Sequence, residues 1–219
     1  MTARRFELLV FDWDGTVVDS AAHIVASIQA ACADLGLAVP RADRARYIIG
    51  LGMQDAMQHL LPELPAADYP RLAERYRHHY LAGDEKVVPF GGAREGIARL
   101  HAAGFLLGVA TGKSRRGLDQ ALQNTGLQGF FHASRCADEG FAKPHPDMLL
   151  FLMERLNVAP ARTLMIGDTT HDLEMARSAG VPALAVSYGA HAEAQLAGLA
   201  PLACVRSFED LMAWLEANS

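Results

Sequence analysis

Residues 6–12, Phe-Glu-Leu-Leu-Val-Phe-Asp, make a nearly unbroken apolar run that ends on an acid. A strand with so little polar face must be covered on both sides, which is the position of a parallel strand inside an α/β sheet. The chain continues Asp12-Trp13-Asp14-Gly15-Thr16, where Gly15 signals a turn. After Pro89-Phe90-Gly91-Gly92 similar runs recur at 105–110, more weakly at 131–135, then at 163–166 and 182–186. Stretches with helical spacing of apolar residues fall between and after them, at about 92–102, 114–123, 146–156 and 170–179. Strands and helices alternating at these lengths predict right-handed βαβ units and a doubly wound, Rossmann-like parallel sheet.

Residues 15–86 interrupt that rhythm. Ile24, Ile28, Ala31 and Leu35 recur at three- and four-residue steps, with Ser20 placed to cap the helix and Gly36 to stop it. Helical patterning continues near 41–49, 53–61 and 66–82, with Pro62 and Pro65 breaking the series. No strand is predicted there. The expected organisation is an α/β core from 1–14 and 87–219, with an all-helical insert at 15–86.

A length of 219 residues suits one core with such an insert. The formal charge of -5 argues against a general affinity for nucleic acid or an anionic membrane. A phosphate-bearing ligand would have to be gripped by a few placed donors. No apolar run is long enough to cross a bilayer, and the opening Met-Thr-Ala-Arg-Arg does not read as a secretory signal, so a cytoplasmic location is expected. Cys32, Cys136 and Cys204 are odd in number and far apart, which fits small buried residues better than a disulfide framework or zinc cluster.

The polar residues at strand ends carry the chemistry. Asp12, Thr111 and Asp168 each follow an apolar strand, and open α/β sheets bind ligands beyond those carboxyl ends. Asp12 and Asp14 point to the same side, because side chains alternate along a strand. Two such carboxylates, joined by Asp168, would repel each other unless a cation sat among them, and Mg2+ suits hard oxygen donors. One carboxylate can then attack phosphorus while the other moves protons; the competing reading is a tight turn with solvated acids. Thr111-Gly112-Lys113-Ser114 offers an anion cradle at a helix N-terminus, or Thr111 or Ser114 simply caps that helix. Lys113 is expected at the solvated surface. Lys143, in Lys143-Pro144-His145-Pro146, is a stiffly held positive charge suited to phosphate. Asp172, one turn beyond Asp168, either accepts from metal-bound water or favours the helix N-terminus. His171 is expected on the helix surface, and His78, His79 and the pair His132/Cys136 to be structural.

Taken in order, Phe-Asp12-Trp-Asp14-Gly-Thr16, Thr111-Gly112, Lys143-Pro144 and Gly-Asp168-x-x-x-Asp172 resemble the four signature motifs of the haloacid dehalogenase-like hydrolase superfamily. The resemblance spans nearly the whole chain. It implies Asp12 as nucleophile and Asp14 as general acid/base, with Thr111, Gly112 and Lys143 holding phosphate. It also implies Mg2+ at Asp12, Asp14 (through its main-chain carbonyl) and Asp168, and the Asp12 strand lying between the other two. The insert is similar to the helical cap of many members. Dehalogenases and phosphonate-cleaving members lack an acid at the Asp14 position, so its presence implies cleavage of a P–O bond. The cap stretch Tyr47-Ile-Ile-Gly50-Leu51-Gly52-Met53 is similar to the glycine-rich loop of phosphoglycolate phosphatase-like members, whose freed N–H groups would meet the leaving group. Arg46 could then assist a carboxylate-bearing substrate, or lie at the surface. The expected activity is a phosphoric monoester hydrolase acting on a small phosphorylated metabolite, as a monomer or homodimer. A sugar phosphomutase of the β-phosphoglucomutase type is the alternative, and a non-catalytic binding protein of the same fold a more distant one. Trp13 is expected in the core.

Overall fold

A computed structural model of the protein describes residues 4–218, so residues 1–3 and 219 of the expected core lie outside the described residues. Six strands, β1 (Leu8–Phe11), β2 (Leu106–Thr111), β3 (Ala133–Cys136), β4 (Thr163–Gly167), β5 (Ala183–Val186) and β6 (Cys204–Val205), form one parallel sheet in the order β3-β2-β1-β4-β5-β6. This is a doubly wound arrangement with its switch point at β1. β1 pairs with β2 from Leu8 opposite Leu106 to Phe11 opposite Val109, and with β4 from Leu8 opposite Thr163 to Phe11 opposite Ile166. The strand ends at Asp12, Thr111 and Asp168 are therefore neighbours, as the motif order implied.

Every residue of β1 is buried, because helices cover both faces of the sheet. Leu9, Phe11, Leu107, Val109, Leu164 and Ile166 face one layer, made by α5 (Ala93–Ala102), α6 (Arg115–Thr125) and α10 (Phe208–Asn218). Leu8, Val10, Ala110 and Met165 face the other, made by α7 (Asp147–Leu156) and α8 (Thr170–Ser178). This strict alternation is the period-two signature of a pleated strand. Trp13 is fully buried in the first layer, edge-on to Phe131 at 6.1 Å, as expected of a core residue.

Between β1 and α5 lie four helices, α1 (Ala21–Asp34), α2 (Ala42–Tyr47), α3 (Met53–Leu60) and α4 (Tyr69–Leu81), with no strand among them. Their apolar faces share a separate cluster that includes Ile24, Ile28, Ile48, Met57 and Leu72. Val17 and Val18, by contrast, pack into the main core. Val18 forms an isolated bridge to Pro89, so the segments entering and leaving this helical layer run side by side.

Beyond β5 the chain adds α9 (Glu193–Ala197), β6 and α10. β6 has two residues and α9 five, too short for a periodic signal. α10 nonetheless buries Phe208, Leu211, Met212 and Leu215 against α5 and the sheet. Phe208→Ala is expected to cost about 3–5 kcal/mol, by lost transfer energy and the cavity left behind. Leu202→Ala, at a 43% exposed position, should stay within about 0.5 kcal/mol. Urea unfolding of the two variants separates these outcomes.

Candidate active site

Three polypeptide segments bring the acids and Lys143 to the carboxyl edge of the sheet. Asp12 leaves β1 with its N–H still bonded to Ile166 O of β4 at 2.9 Å, so the central pairing fixes its backbone. Its side chain is fully buried. Lys143 Nζ donates to Asp12 Oδ1 at 2.6 Å and lies 2.6 Å from Asp172 Oδ1, also fully buried. Asp12 Oδ2 is buried with no hydrogen-bond partner. Burial, then the fields of Asp172 and Asp168, push the Asp12 carboxyl well above the usual range against the opposing pull of Lys143. Burial works against charge on Lys143 too, but Asp12 and Asp172 hold it protonated well beyond an ordinary lysine.

Asp168 follows β4 directly. It accepts from Thr16 Oγ1 at 2.8 Å and from the Ala190 N–H at 2.6 Å. Burial and the Asp172 charge push its carboxyl up to about 7. Gly15, at φ +84°, lies so close that a side chain there would collide with the Asp168 carboxylate, and only glycine adopts that conformation without strain. Asp172 takes the helix N-terminal role considered for it and also meets Lys143. Its Oδ2 accepts from the N–H and hydroxyl of Thr169 in a capping box at the start of α8, and its Oδ1 faces Lys143. Oxygen atoms of Asp12, Asp168 and Asp172 all lie within 4.8 Å of one another. Three mutually repelling hard-oxygen donors, one oxygen unpartnered, are the donor chemistry that fits Mg2+.

Asp14 is not part of that carboxylate cluster. Its side chain turns toward the helical layer, accepting from Ser20 Oγ at 2.7 Å, with Lys113 Nζ 3.1 Å from its other oxygen. Any metal contact by Asp14 therefore falls to its main-chain carbonyl. Two expectations change here. Ser20 stands at the N-cap of α1 but makes no side-chain bond to the helix, spending its hydroxyl on Asp14. Lys113 is not a solvated lysine: its side chain is 12% exposed, bonds Tyr80 Oη at 3.0 Å and lies 4.5 Å over the Tyr80 ring. Burial disfavours its charge, yet Asp14, Tyr80 and Tyr76 together raise its pKa.

Thr111 ends β2 fully buried, and its Oγ1 accepts from the Lys113 N–H at 3.2 Å, which leaves its own proton free to donate. Ser114, not Thr111, caps α6, accepting from Gly117 N–H at 3.3 Å. A Cβ at Gly112 would meet Leu51 O at 2.5 Å and Gly50 O at 2.7 Å, so the glycine-rich loop of the helical layer lies directly on this turn. Its N–H groups are less free than the sequence suggested, since that of Leu51 is bonded to Ile48 O.

The loop is held by a group that sequence reasoning missed. The Tyr47 carbonyl accepts from His171 Nε2 at 2.9 Å and His191 Nε2 at 3.0 Å. The Thr170 N–H donates to His191 Nδ1 at 3.0 Å, which puts the His191 proton on Nε2. Burial lowers the pKa of both rings. His171 is thus buried in the seam between α2 and α8, where a surface histidine was expected, because its ring pairs with a backbone group 124 positions earlier. Arg46 Nη1 lies 3.4 Å from Gly189 O, another tie across the seam. His132 and His79 are structural as expected, bonding Leu107 N and Asp34.

Residues 9–186 match the family model for haloacid dehalogenase-like hydrolases. The chain is 36% identical over 212 residues to a protein of Dickeya dadantii named "Probable phosphatase IndB", covering 94% of this chain and 91% of that one. It is 34% identical over 198 residues to a phosphoglycolate phosphatase of Agrobacterium fabrum, covering 86% and 84%. Among solved structures, a hydrolase from Pseudomonas syringae superposes with a TM-score of 0.88 at 21% identity, covering 97% of this chain and 98% of the other, a likeness of fold.

Removing Lys143 would leave two buried carboxylates facing each other. Lys143→Met is expected to cost about 3–5 kcal/mol in chelator-treated protein. Adding Asp12→Asn should recover part of that loss, read by urea unfolding of the single and double variants.

Proposed function

The chain belongs to the haloacid dehalogenase-like hydrolase family, and on that premise we propose that it is a Mg2+-dependent phosphatase of the phosphoglycolate phosphatase-like branch, hydrolysing a small phosphate monoester through an aspartyl-phosphate. The observation that carries this reading is the Asp12 side chain, one oxygen fixed by Lys143 and the other buried without a partner. An oxygen so held is oriented and poorly solvated, the condition of an activated carboxylate nucleophile.

In the proposed reaction Asp12 Oδ2 forms a bond to phosphorus while the bond to the leaving oxygen breaks, and Asp14 delivers a proton to that oxygen. Water then attacks the aspartyl-phosphate, Asp14 takes its proton, and inorganic phosphate leaves with Asp12 restored. Ser20 and Lys113 orient Asp14 for both transfers. The Thr111 hydroxyl, the Gly112 N–H and the Lys143 ammonium bind the phosphoryl oxygens. Asp12, Asp168 and the main-chain carbonyl of Asp14 would hold Mg2+, with Asp172 beside them. When bound, Mg2+ supplies the positive charge that lets an anionic ester approach these carboxylates. Residues 1–14 and 87–219 form the catalytic core in this proposal, and 15–86 the helical cap, in a cytoplasmic enzyme. No helix among the described residues is long and apolar enough to cross a membrane.

Asp12→Asn should lower Mg2+-dependent phosphate release from p-nitrophenyl phosphate by at least about three orders of magnitude, with the circular dichroism spectrum unchanged. Full retained turnover would sink the nucleophile assignment. Chelation of the wild-type enzyme should remove turnover and added Mg2+ restore it.

A further inference from the structure

A cavity of about 430 Å³ lies between the helical layer and the sheet edge, with Asp14, Gly112 and Lys113 at one end. Asp14 also stands next to the Asp12 turn. The group that receives a proton from Asp14 must therefore extend into this cavity. Its chemistry is read from the walls. Ile24, Ile28, Ile48, Met53 and Met57 line it together with Tyr76 and Tyr80, and Asp84, Ser114 and Gln120 add polar groups. The cation lining its inner end, Lys113, is already committed to Asp14 and Tyr80. Arg77 and Arg116 also line the cavity but are exposed. Arg46, the residue that could have met a substrate carboxylate, is not among the lining residues and instead reaches Gly189 O.

A two-carbon glycolate would leave most of this volume unfilled and forfeit its dispersion contacts. Its carboxylate would also be desolvated against isoleucine and methionine, and the cations it could meet, Arg77 and Arg116, are exposed, where an ion pair is worth little. Volumes of this order accommodate a ring-bearing molecule. We propose that the cavity is the leaving-group site for a phosphate monoester of a hydrophobic, ring-sized alcohol, which the enzyme prefers over phosphoglycolate. The proposal rests on the phosphatase reading above.

Two ester pairs test it. 2-Phenylethyl phosphate and ethyl phosphate have alkyl leaving groups, so their ratio reports the pocket and not leaving-group acidity. Burial of a phenyl group at about 25 cal/mol per Å² predicts kcat/KM at least about tenfold higher for the phenylethyl ester, and a similar advantage over phosphoglycolate. Met53→Lys, at a position 38% exposed and therefore tolerant of change, should reduce the phenylethyl-to-phosphoglycolate ratio by about tenfold or more. Binding is measured without turnover by calorimetry of 3-phenylpropylphosphonate and 3-phosphonopropionate, non-hydrolysable counterparts of the phenylethyl ester and phosphoglycolate, and the first should bind at least about tenfold tighter. Equal or reversed preference in an active enzyme overturns the leaving-group proposal and leaves the phosphatase reading standing. No phosphate release from any ester overturns the phosphatase reading, and the proposal with it. Phosphonates that bind equally well overturn the proposal whatever the turnover.

Discussion

The buried ammonium of Lys143 is the charge around which the carboxyl edge of the sheet is organised. Asp12, Asp168 and Asp172 are all removed from water, and burial with the neighbouring charges raises the pKa of Asp12 and Asp168. A single lysine, 2.6 Å from each of two of them, offsets that cost. Hydrogen bonds from Thr16, Thr169 and Ala190 supply the rest. Replacing Lys143 by an apolar residue would strand buried carboxylates, which is far more costly than losing an ordinary contact.

The sheet makes such an arrangement possible. In a parallel strand every backbone group is paired on both sides, so the first residue past the strand starts from a fixed position. Asp12 is held by β4, Thr111 follows the β2 register, and Asp168 ends the strand that flanks β1 on the other side. The site's backbone is thus fixed by the strand pairing, and the helical layer above contributes apolar surface.

Much of this was legible in the sequence because strand ends and helix periods are local. The apolar run before Asp12 and the Gly-Asp168 step predicted a doubly wound sheet and the adjacency of their acids. The unread features join residues far apart in the chain. Nothing near Lys113 indicated that Tyr80 and Asp14 would enclose it, and nothing around His171 indicated a bond to the Tyr47 carbonyl. Ser20 misled for a different reason: a hydroxyl before a helix has one common partner, the helix backbone, and here an acid six residues earlier took its place. Thr16 stood within a recognised motif, yet its bond to Asp168 spans 152 positions, which no spacing rule could reveal.

Asp12 and Asp14 share one turn but are restrained by different parts of the molecule. One oxygen of Asp14 is held by Ser20, at the root of α1, and the other faces Lys113, which is itself tied to Tyr80 on α4. Both restraints reach into the helical layer, whereas the Asp12 backbone is held by β4 and its side chain by Lys143. The two acids of one turn therefore answer to different parts of the molecule, Asp12 to the sheet and the Lys143 loop and Asp14 to the helical layer.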